Sequence, residues 1–321
     1  MPVTRTKSRE VLQGQPMKPT TLRFFTEVDE PALARVFSAQ TLGSLARLGA
    51  GVTMGLIDRS PSRARVIRQL TGHGVPVGGW LLLPKHHGYF ATHDNFKLVE
   101  TLVTDTLEWA SLEQLPLEAL GLDFEPELAQ LEALMATPLP TLARWSWRAR
   151  DSTRWRSAHA AYSRIIRRVR DTGARIETYQ FPLVMADRAV GGSLWQRIAG
   201  GLDLSSDREV AMCYSSLLGV AGPGLIERLA PSCSAIGVGS TGGGVDDFPK
   251  LRWAELERDL LLASARCSDV SIFSLEGCLT HGFLERLHDF DWSRPAAAST
   301  ISRVSSQLLS AFTLALSVAT R

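Results

Sequence analysis

The sequence has little cysteine, no surplus of one charge and no dinucleotide fingerprint. Its four cysteines, Cys213, Cys233, Cys267 and Cys278, show no C-x-x-C spacing, which excludes a disulfide scaffold and predicts reduced thiols in the core. Charged residues make up 21% of the chain and the net charge is only +2, so the composition indicates neither a nucleic-acid nor a membrane partner. No G-x-G-x-x-G motif follows the first predicted strand, and we predict no cofactor.

Targeting signals are also missing. The N-terminal stretch MPVTRTKSREVLQGQPMKPT has basic residues but lacks the apolar core that is typical of a secretory signal. The apolar runs elsewhere look too short to span a bilayer. The expected location is therefore the cytoplasm.

Eight short runs rich in Val, Ile, Phe and Leu recur along the chain, and most are followed by a longer stretch with helical spacing. The runs are TLRFFTEV, GVTMGLI, VPVGGWLLL, ALGLDFE, ARIETYQF, EVAMCYSS, SAIGVGS and DVSIFSL. This alternation predicts an α/β fold, a single-domain (β/α)8 TIM barrel, with a doubly wound open sheet as the alternative. We expect a flexible lead-in over residues 1–20, the barrel over 21–295 and an amphipathic C-terminal helix over 296–321 packed on the barrel.

In a barrel of this kind, reactive side chains come from the C-terminal ends of the strands, where loops close over a pocket. Polar residues at or beyond the predicted strand ends are therefore candidates. They are Glu27 and Asp29 after the first strand, His86, His87, Tyr89, His93 and Asn95 after the third, Asp123 and Glu125 at the fourth, Glu177 and Tyr179 on the fifth, Tyr214 after the sixth and Glu276 after the eighth.

The fourth run places acids where a buried strand should end. Strand alternation sends Leu120, Leu122 and Phe124 outward and leaves Asp123 and Glu125 facing the barrel axis. Two carboxyl groups one pleat apart repel each other, so one is pushed toward the protonated form that a general acid requires. The alternative is that these acids pair with arginines or cap the following helix.

The segment GLDFEPE resembles the fourth-strand signature D-G-x-D-x-D-x-E of family 18 chitinase-type glycoside hydrolases. Gly121, Asp123, Glu125 and Glu127 fall on its G, D, D and E positions. The segment MCYS, residues 212–215, is similar to the sixth-strand M-x-Y-D of the same family. The resemblance implies a (β/α)8 glycosidase that uses the acetamido group of its substrate as the nucleophile. It also implies that the final Glu is the acid, that the acidic residue before it orients the acetamido group, and that the sixth-strand Tyr helps to hold the sugar.

Several positions depart from this signature. Glu125 replaces the second aspartate, and Ser215 stands where the sixth-strand Asp would be. We expect Pro126 to end the strand and turn Glu127 onto the rim, so Glu125 becomes the predicted proton donor beside Asp123.

The second carboxylate has to come from elsewhere in the barrel, because the seventh run, SAIGVGSTGGG, contains no acid. We expect it to come from Glu27, Asp29 or Glu276, with Glu27 and Glu276 as the main candidates. A closed barrel brings the first and eighth strands together, which makes these two residues neighbours.

The loop PKHHGYFATHDN after the third strand carries aromatic and amide groups of the kind that bind sugars. We predict substrate contacts from His86, His87, Tyr89 and Asn95 in this loop, and from Tyr179, Tyr214 and Glu127 elsewhere. His86 and His87 would point apart if the loop is extended. The alternative is a surface loop that caps the next helix.

Metal and phosphate signals are weak. The acids and histidines show no ligand spacing such as H-E-x-x-H, so no metal is predicted. The glycine-rich GSTGGG after the seventh strand could cradle a phosphate or form a flexible rim loop.

Residues 143–175 carry ten arginines, two aspartates and three tryptophans. Because Trp155, Ala158, Tyr162 and Val169 recur at helical spacing, we interpret the arginines as the solvated face of a barrel helix and predict no nucleic-acid binding.

The leading hypothesis is a glycoside hydrolase acting on a carbohydrate or small glycoside. One alternative is a metal-dependent sugar isomerase or epimerase, with a divalent metal held by Glu27, Asp123, Glu125 or Glu276 together with a histidine. Another is an inactive barrel that binds a sugar or a protein. The sequence does not indicate an oligomeric state.

Overall fold

The computed structural model describes residues 18–137, 140–141, 144–145, 152–243 and 249–319, and most of the predicted lead-in over residues 1–20 lies outside them. Eight parallel strands form one closed barrel in chain order. Pairing of Phe25 with Phe273 is part of the register that closes the eighth strand onto the first. The prediction of a (β/α)8 barrel is therefore confirmed. The strands are β1 (Thr21–Thr26), β2 (Ala50–Gly55), β3 (Val77–Leu81), β4 (Leu117–Phe124), β5 (Arg175–Gln180), β6 (Arg208–Met212), β7 (Ala235–Gly239) and β8 (Asp269–Phe273).

Helices follow the strands, as parallel neighbours require. Those of the first four units are α1 (Glu30–Val36), α2 (Ala39–Leu48), α3 (Pro61–Gly72), α4 (Phe96–Leu112) and α5 (Leu128–Ala136). Those further along the chain are α6 (Ser152–Asp171), α7 (Val184–Val190), α8 (Leu194–Ala199), α9 (Ser215–Leu218), α10 (Gly222–Leu229), α11 (Trp253–Ser264), α12 (Leu275–Thr280), α13 (Phe283–Arg286) and α14 (Thr300–Ala319).

Large aromatic side chains fill the middle of the barrel. Phe25, Trp80 and Tyr179 contact one another edge to face, with ring centroids 4.8 to 6.4 Å apart. Gly121 makes room for them, because a Cβ atom at this position would lie 2.0 Å from the Tyr179 hydroxyl. This layer closes the barrel interior beneath the C-terminal mouth.

A charged cluster lies on the N-terminal side of the aromatic layer. The Arg208 guanidinium pairs with Glu177 at 3.0 Å and with Asp269 at 2.6 Å, and Arg23 pairs with Glu118 at 2.6 Å. Because both arginines are almost fully buried, these pairs satisfy charges that would otherwise be costly to place inside the barrel.

The arginine-rich helix α6 lies on the outside of the barrel, as predicted for the part that the structure describes. Ala158, Tyr162 and Val169 are buried against the strands. Arg154 pairs with Asp94 and Arg170 with Asp207 at the surface. The residues 143 and 146–151 of the same predicted segment lie outside the described residues.

The C-terminal helix α14 corrects one expectation. Its segment Thr300–Val318 has a mean hydropathy of 1.2 and, by length and composition alone, is long and apolar enough to cross a membrane. From the sequence, every apolar run was expected to be too short to span a bilayer. Only 22% of this segment is buried in the molecule. The helix is amphipathic, as predicted, but its apolar side faces outward.

Candidate active site

The C-terminal mouth of the barrel brings together the four acidic side chains that were predicted to be catalytic. Asp123 and Glu125 come from the end of β4, Glu27 follows β1, and Glu276 lies in the first turn of α12. Asp123 and Glu125 are two residues apart, and the Glu27 backbone N–H donates a hydrogen bond to the Glu276 carboxylate. Glu27 raises the pKa values of both Asp123 and Glu125, and Glu276 raises that of Glu27.

The alternation predicted for β4 is observed. Phe124 packs outward on Tyr162 of α6 with ring centroids 5.2 Å apart, whereas Gly121 lies against Tyr179 inside the barrel. Asp123 and Glu125 therefore face the interior, as the odd-numbered positions should.

Asp123 is the most deeply buried of the four acids, with 2% of its surface exposed. Its Oδ1 atom has no hydrogen-bond partner among the described residues. Burial, together with the neighbouring Glu125 and Glu27, raises its pKa well above the ordinary value. The indole N–H of Trp80 lies near this carboxyl group and lowers its pKa, although the two groups do not form a full hydrogen bond. Burial therefore favours the protonated form of this carboxyl group.

Glu125 reaches the mouth itself and is partly exposed. Burial and then the charge of Glu27 raise its pKa to about 7, so its carboxyl group is partly protonated near neutral pH. No neighbouring group among the described residues lowers this pKa. A carboxylic acid in this state can donate a proton to a bound substrate.

Glu27 has the same raised pKa, but its environment is different. Burial raises the pKa of Glu27 to about 7, while the Tyr89 hydroxyl, which donates a hydrogen bond to its carboxylate, and the nearby Lys85 lower it. Both of these groups favour the ionised form of Glu27.

Glu276 is held in place by the loop after β7. Its carboxylate accepts a hydrogen bond from the Glu27 backbone N–H. A Cβ atom on Gly277 would lie 2.3 Å from the Thr241 backbone, so only glycine allows this close packing. Thr241 in turn donates a 2.9 Å hydrogen bond to the Ser274 carbonyl. Part of the glycine-rich segment thus fixes the start of α12 and the position of Glu276.

The aromatic residues Tyr214 and Phe273 complete the mouth. Tyr214, which follows β6, lies beside Asp123 and Glu125, and burial with these two charges raises the pKa of its hydroxyl well above the ordinary value. Its ring packs on Phe273 at 5.7 Å. Tyr214 was predicted from the sequence, but Trp80 and Phe273 were missed, although the inward alternation of β3 and β8 could have identified both.

Tyr179 does not reach the mouth, contrary to its predicted role in substrate binding. The residue is 1% exposed, and its hydroxyl turns back along the barrel axis to donate a 3.2 Å hydrogen bond to Glu177. Gly121 leaves the space that this orientation needs. Tyr179 therefore contributes to the packing of the interior.

The loop after β3 has mixed roles. His86 and His87 are exposed in a short 3-10 turn, Lys85–His87, and their rings lie 4.2 Å apart instead of pointing in opposite directions, because the backbone is not extended there. Tyr89 is buried and binds Glu27. Asn95 is also buried, and its amide donates to the Phe90 carbonyl at 2.8 Å and accepts from the Thr92 N–H. Asn95 thus organises the loop and does not face the carboxyl cluster.

Glu127 lies on the rim, as expected from Pro126. It precedes the first residue of α5, accepts a 3.2 Å hydrogen bond from Gln130 and packs near Gly88. Ser215, at the position of the missing sixth-strand Asp, donates a hydrogen bond to Asp259 of α11 and so points away from the mouth. Neither residue supplies a reacting group at the carboxyl cluster.

Among the described residues, no three His, Cys, Asp or Glu side chains are arranged to hold a metal ion. The exposed His86 and His87 therefore do not form a set of metal ligands with the carboxylates at the mouth.

A cleft of about 480 Å³ extends outward beside Glu276, between α1 and α2 on one side and α12 and α13 on the other. Its lining is mostly polar. It includes Arg35, Ser38, Gln40, Thr280 and Glu285.

No protein-family model matches the chain, and no curated protein matches it. Solved structures do match. A GH18 chitinase from Pseudoalteromonas aurantia has a TM-score of 0.51 at 7% identity, covering 84% of this chain and all of that one. An L-ribulose 3-epimerase gives 0.44 at 12% identity, over 94% of this chain and 96% of that one. A family 2 AP endonuclease from Brucella melitensis has a TM-score of 0.40 at 14% identity, covering 83% of this chain and 98% of that one.

These likenesses concern the fold. The chain has the barrel architecture of TIM-barrel enzymes, and the resemblance to glycoside hydrolase barrels that the sequence motifs indicated is supported at the level of the fold.

Proposed function

We propose that this protein is a glycoside hydrolase in which Glu125 donates the proton to the glycosidic oxygen. The observation that carries the proposal is the convergence of Glu27, Asp123, Glu125 and Glu276 at the mouth of the barrel, with two pKa values raised to about 7. Burying acids this closely is costly, and such clusters are concentrated at catalytic sites.

The surroundings of Glu125 and Glu27 assign them different protonation states. Tyr89 and Lys85 stabilise the ionised form of Glu27, whereas no described group does so for Glu125. The charge of Glu27 also raises the pKa of Glu125, so we assign the shared proton to Glu125. Glu125 is the acid and Glu27 is the second carboxylate.

The reaction follows from these roles. Glu125 transfers its proton to the glycosidic oxygen, the bond from that oxygen to the anomeric carbon breaks, and the alcohol leaves. Glu27 either takes a proton from the water that attacks the anomeric carbon, or attacks that carbon itself to form a glycosyl ester. In the second route water then hydrolyses the ester, and Glu125 accepts the proton of that water. The configuration of the first-formed product, measured by NMR, distinguishes these two routes.

Asp123 and Glu276 have supporting roles in this proposal. Asp123 beside Trp80 and Tyr214 is placed to hydrogen-bond a polar substituent of the sugar. Glu276 holds the backbone of Glu27. The polar cleft beside Glu276 supplies room for the rest of a carbohydrate chain.

The test is hydrolysis of a panel of aryl glycosides and amino-sugar oligosaccharides by the wild-type protein, Glu125→Gln and Glu127→Gln. We expect Glu125→Gln to lose about a hundredfold or more in turnover while keeping its fold, since the amide retains the shape and lacks the proton. Glu127→Gln is the matched control, because this rim residue contacts Gln130 instead of the cluster. Equal activity of Glu125→Gln and wild type would refute the assignment, and metal-dependent sugar isomerisation without hydrolysis would favour the alternative class.

A further inference from the structure

The C-terminal helix α14 is attached to the barrel by its polar side. The Gly224 N–H donates to the Ser302 hydroxyl at 2.8 Å, the Trp195 indole donates to the Thr313 carbonyl at 3.0 Å, and Ser317 donates to Asp187 at 3.0 Å. Ser302, Ser306, Thr313 and Ser317 are all buried. The fully buried residues on the side of the helix that faces the barrel are therefore serine and threonine, and Leu309 and Leu316 are half-buried.

The opposite side of α14 is apolar and exposed. Ile301, Val304, Leu308, Phe312 and Val318 expose 70%, 47%, 66%, 60% and 54% of their surfaces. This arrangement is the reverse of that in an ordinary barrel helix, which buries its apolar stripe.

The patch continues beyond the helix. Leu217 lies next to the turn Gly219–Ala221 and is 42% exposed, and Val220 lies in this turn and is 61% exposed. The helix α14 packs against the same turn. Together with the exposed apolar residues of α14, these residues expose on the order of 700 Å², which approaches the roughly 800 Å² that each partner buries in a standard interface.

The spacing of the stripe indicates what covers it. Ile301, Val304, Leu308, Ala311 and Ala315 follow one another at intervals of three and four residues, and Phe312 widens the stripe beside Ala311. Alternating three- and four-residue spacing is the pattern by which two α-helices interlock side chains along a seam.

Charge argues against a lipid surface. Arg303 is the only Asp, Glu, Lys or Arg within the described helix Thr300–Ala319, and it is paired with Glu227 at 2.7 Å. The helix thus lacks the row of free basic residues by which amphipathic helices bind anionic membranes. A spanning orientation would also break the hydrogen bonds to Gly224, Trp195 and Asp187.

We propose that this apolar stripe of α14 is the interface of a homodimer, in which two copies of α14 pack antiparallel about a two-fold axis near residue 310. A two-fold interface pairs the same patch on both subunits. With the axis at this position, Leu308 faces the region of Phe312 in the second copy, and Ile301 faces the region of Val318.

The test uses the full chain and two charge variants. Leu308→Glu/Phe312→Glu and Leu308→Lys/Phe312→Lys each place like charges across the axis, so each alone is expected to be monomeric. Their mixture is expected to restore a dimer, because opposite charges then face each other. Sedimentation equilibrium should give about twice 35.1 kDa for the wild type and for the mixture, and 35.1 kDa for each variant alone. Leu314→Glu is the control, since Leu314 is exposed but lies off the stripe and should leave the dimer intact.

Three results would overturn the dimer. They are a monomeric wild type at all concentrations tested, a double variant that remains dimeric, and a monomeric wild type that floats with phosphatidylcholine vesicles. Restored pairing in the mixture shows that the variants are folded, which circular dichroism should confirm for each alone.

Discussion

Replacing Glu125 with glutamine should stabilise the folded protein at alkaline pH, although it removes the proposed proton donor. Burial and Glu27 raise the pKa of Glu125 from 4.5 to about 7. Between these values the folded state binds more protons at Glu125 than the unfolded state, so the contribution of Glu125 to stability is fully present below pH 4.5 and is lost as the pH rises through about 7. Glutamine cannot ionise, so the Glu125→Gln variant should not show this loss of stability.

The size of the effect follows from the shift. At about 1.4 kcal/mol per pH unit, a shift of this size corresponds to roughly 3 kcal/mol. Glu125 is partly exposed and shares its proton with Glu27, which reduces the expected gain to about 1 to 2 kcal/mol at pH 8.

Urea unfolding of wild type, Glu125→Gln and Glu127→Gln at several pH values between 5 and 8 measures this gain. The stability advantage of Glu125→Gln should grow with pH, and that of Glu127→Gln should not. An advantage that is absent at pH 8, or that shrinks as the pH rises, would refute the reasoning about the buried cluster.

Three further predictions concern the surroundings of the site. Tyr89→Phe removes the hydrogen bond that lowers the pKa of Glu27, so the acidic limb of the pH–rate profile should move to higher pH by about one unit. Tyr162→Phe is the control, because it removes a buried hydroxyl that is bound to Thr92, and it should leave the profile in place. Gly277→Ala forces a Cβ atom against the Thr241 backbone and should destabilise the fold by about 1 to 3 kcal/mol in thermal unfolding, while Gly72→Ala, which has open space, should be tolerated. Incubation with a chelator should leave hydrolysis unchanged, and a loss of activity that Mn²⁺ or Mg²⁺ restores would contradict the metal-free mechanism.

Much of the site geometry could be predicted from two simple rules. The two-residue period of a strand placed Asp123 and Glu125 inside the barrel, and closure of the eighth strand onto the first made Glu27 and Glu276 neighbours. The same period could have identified Trp80. These inferences need only local geometry and the topology of the barrel.

Other features depend on conformations that no periodicity reveals. Tyr89 reaches Glu27 from a backbone with φ of 71°, in a loop whose course is set by Asn95 and the turn Lys85–His87. Tyr179 turns away from the mouth because Gly121 leaves space below it. Helical spacing showed that α14 is amphipathic, but spacing does not tell which side meets the barrel, and in this protein the polar side does.

The central claim is that Glu125 protonates the leaving group, and aryl glycosides with leaving groups of different basicity test it most directly. Turnover by Glu125→Gln should fall by about a hundredfold or more, relative to wild type, for poor leaving groups such as unsubstituted phenol, because these need a proton to depart. For dinitrophenol, which departs as a stable anion, the loss should be far smaller. An equal loss for both leaving groups, or no loss for either, would contradict the role of Glu125 as the proton donor.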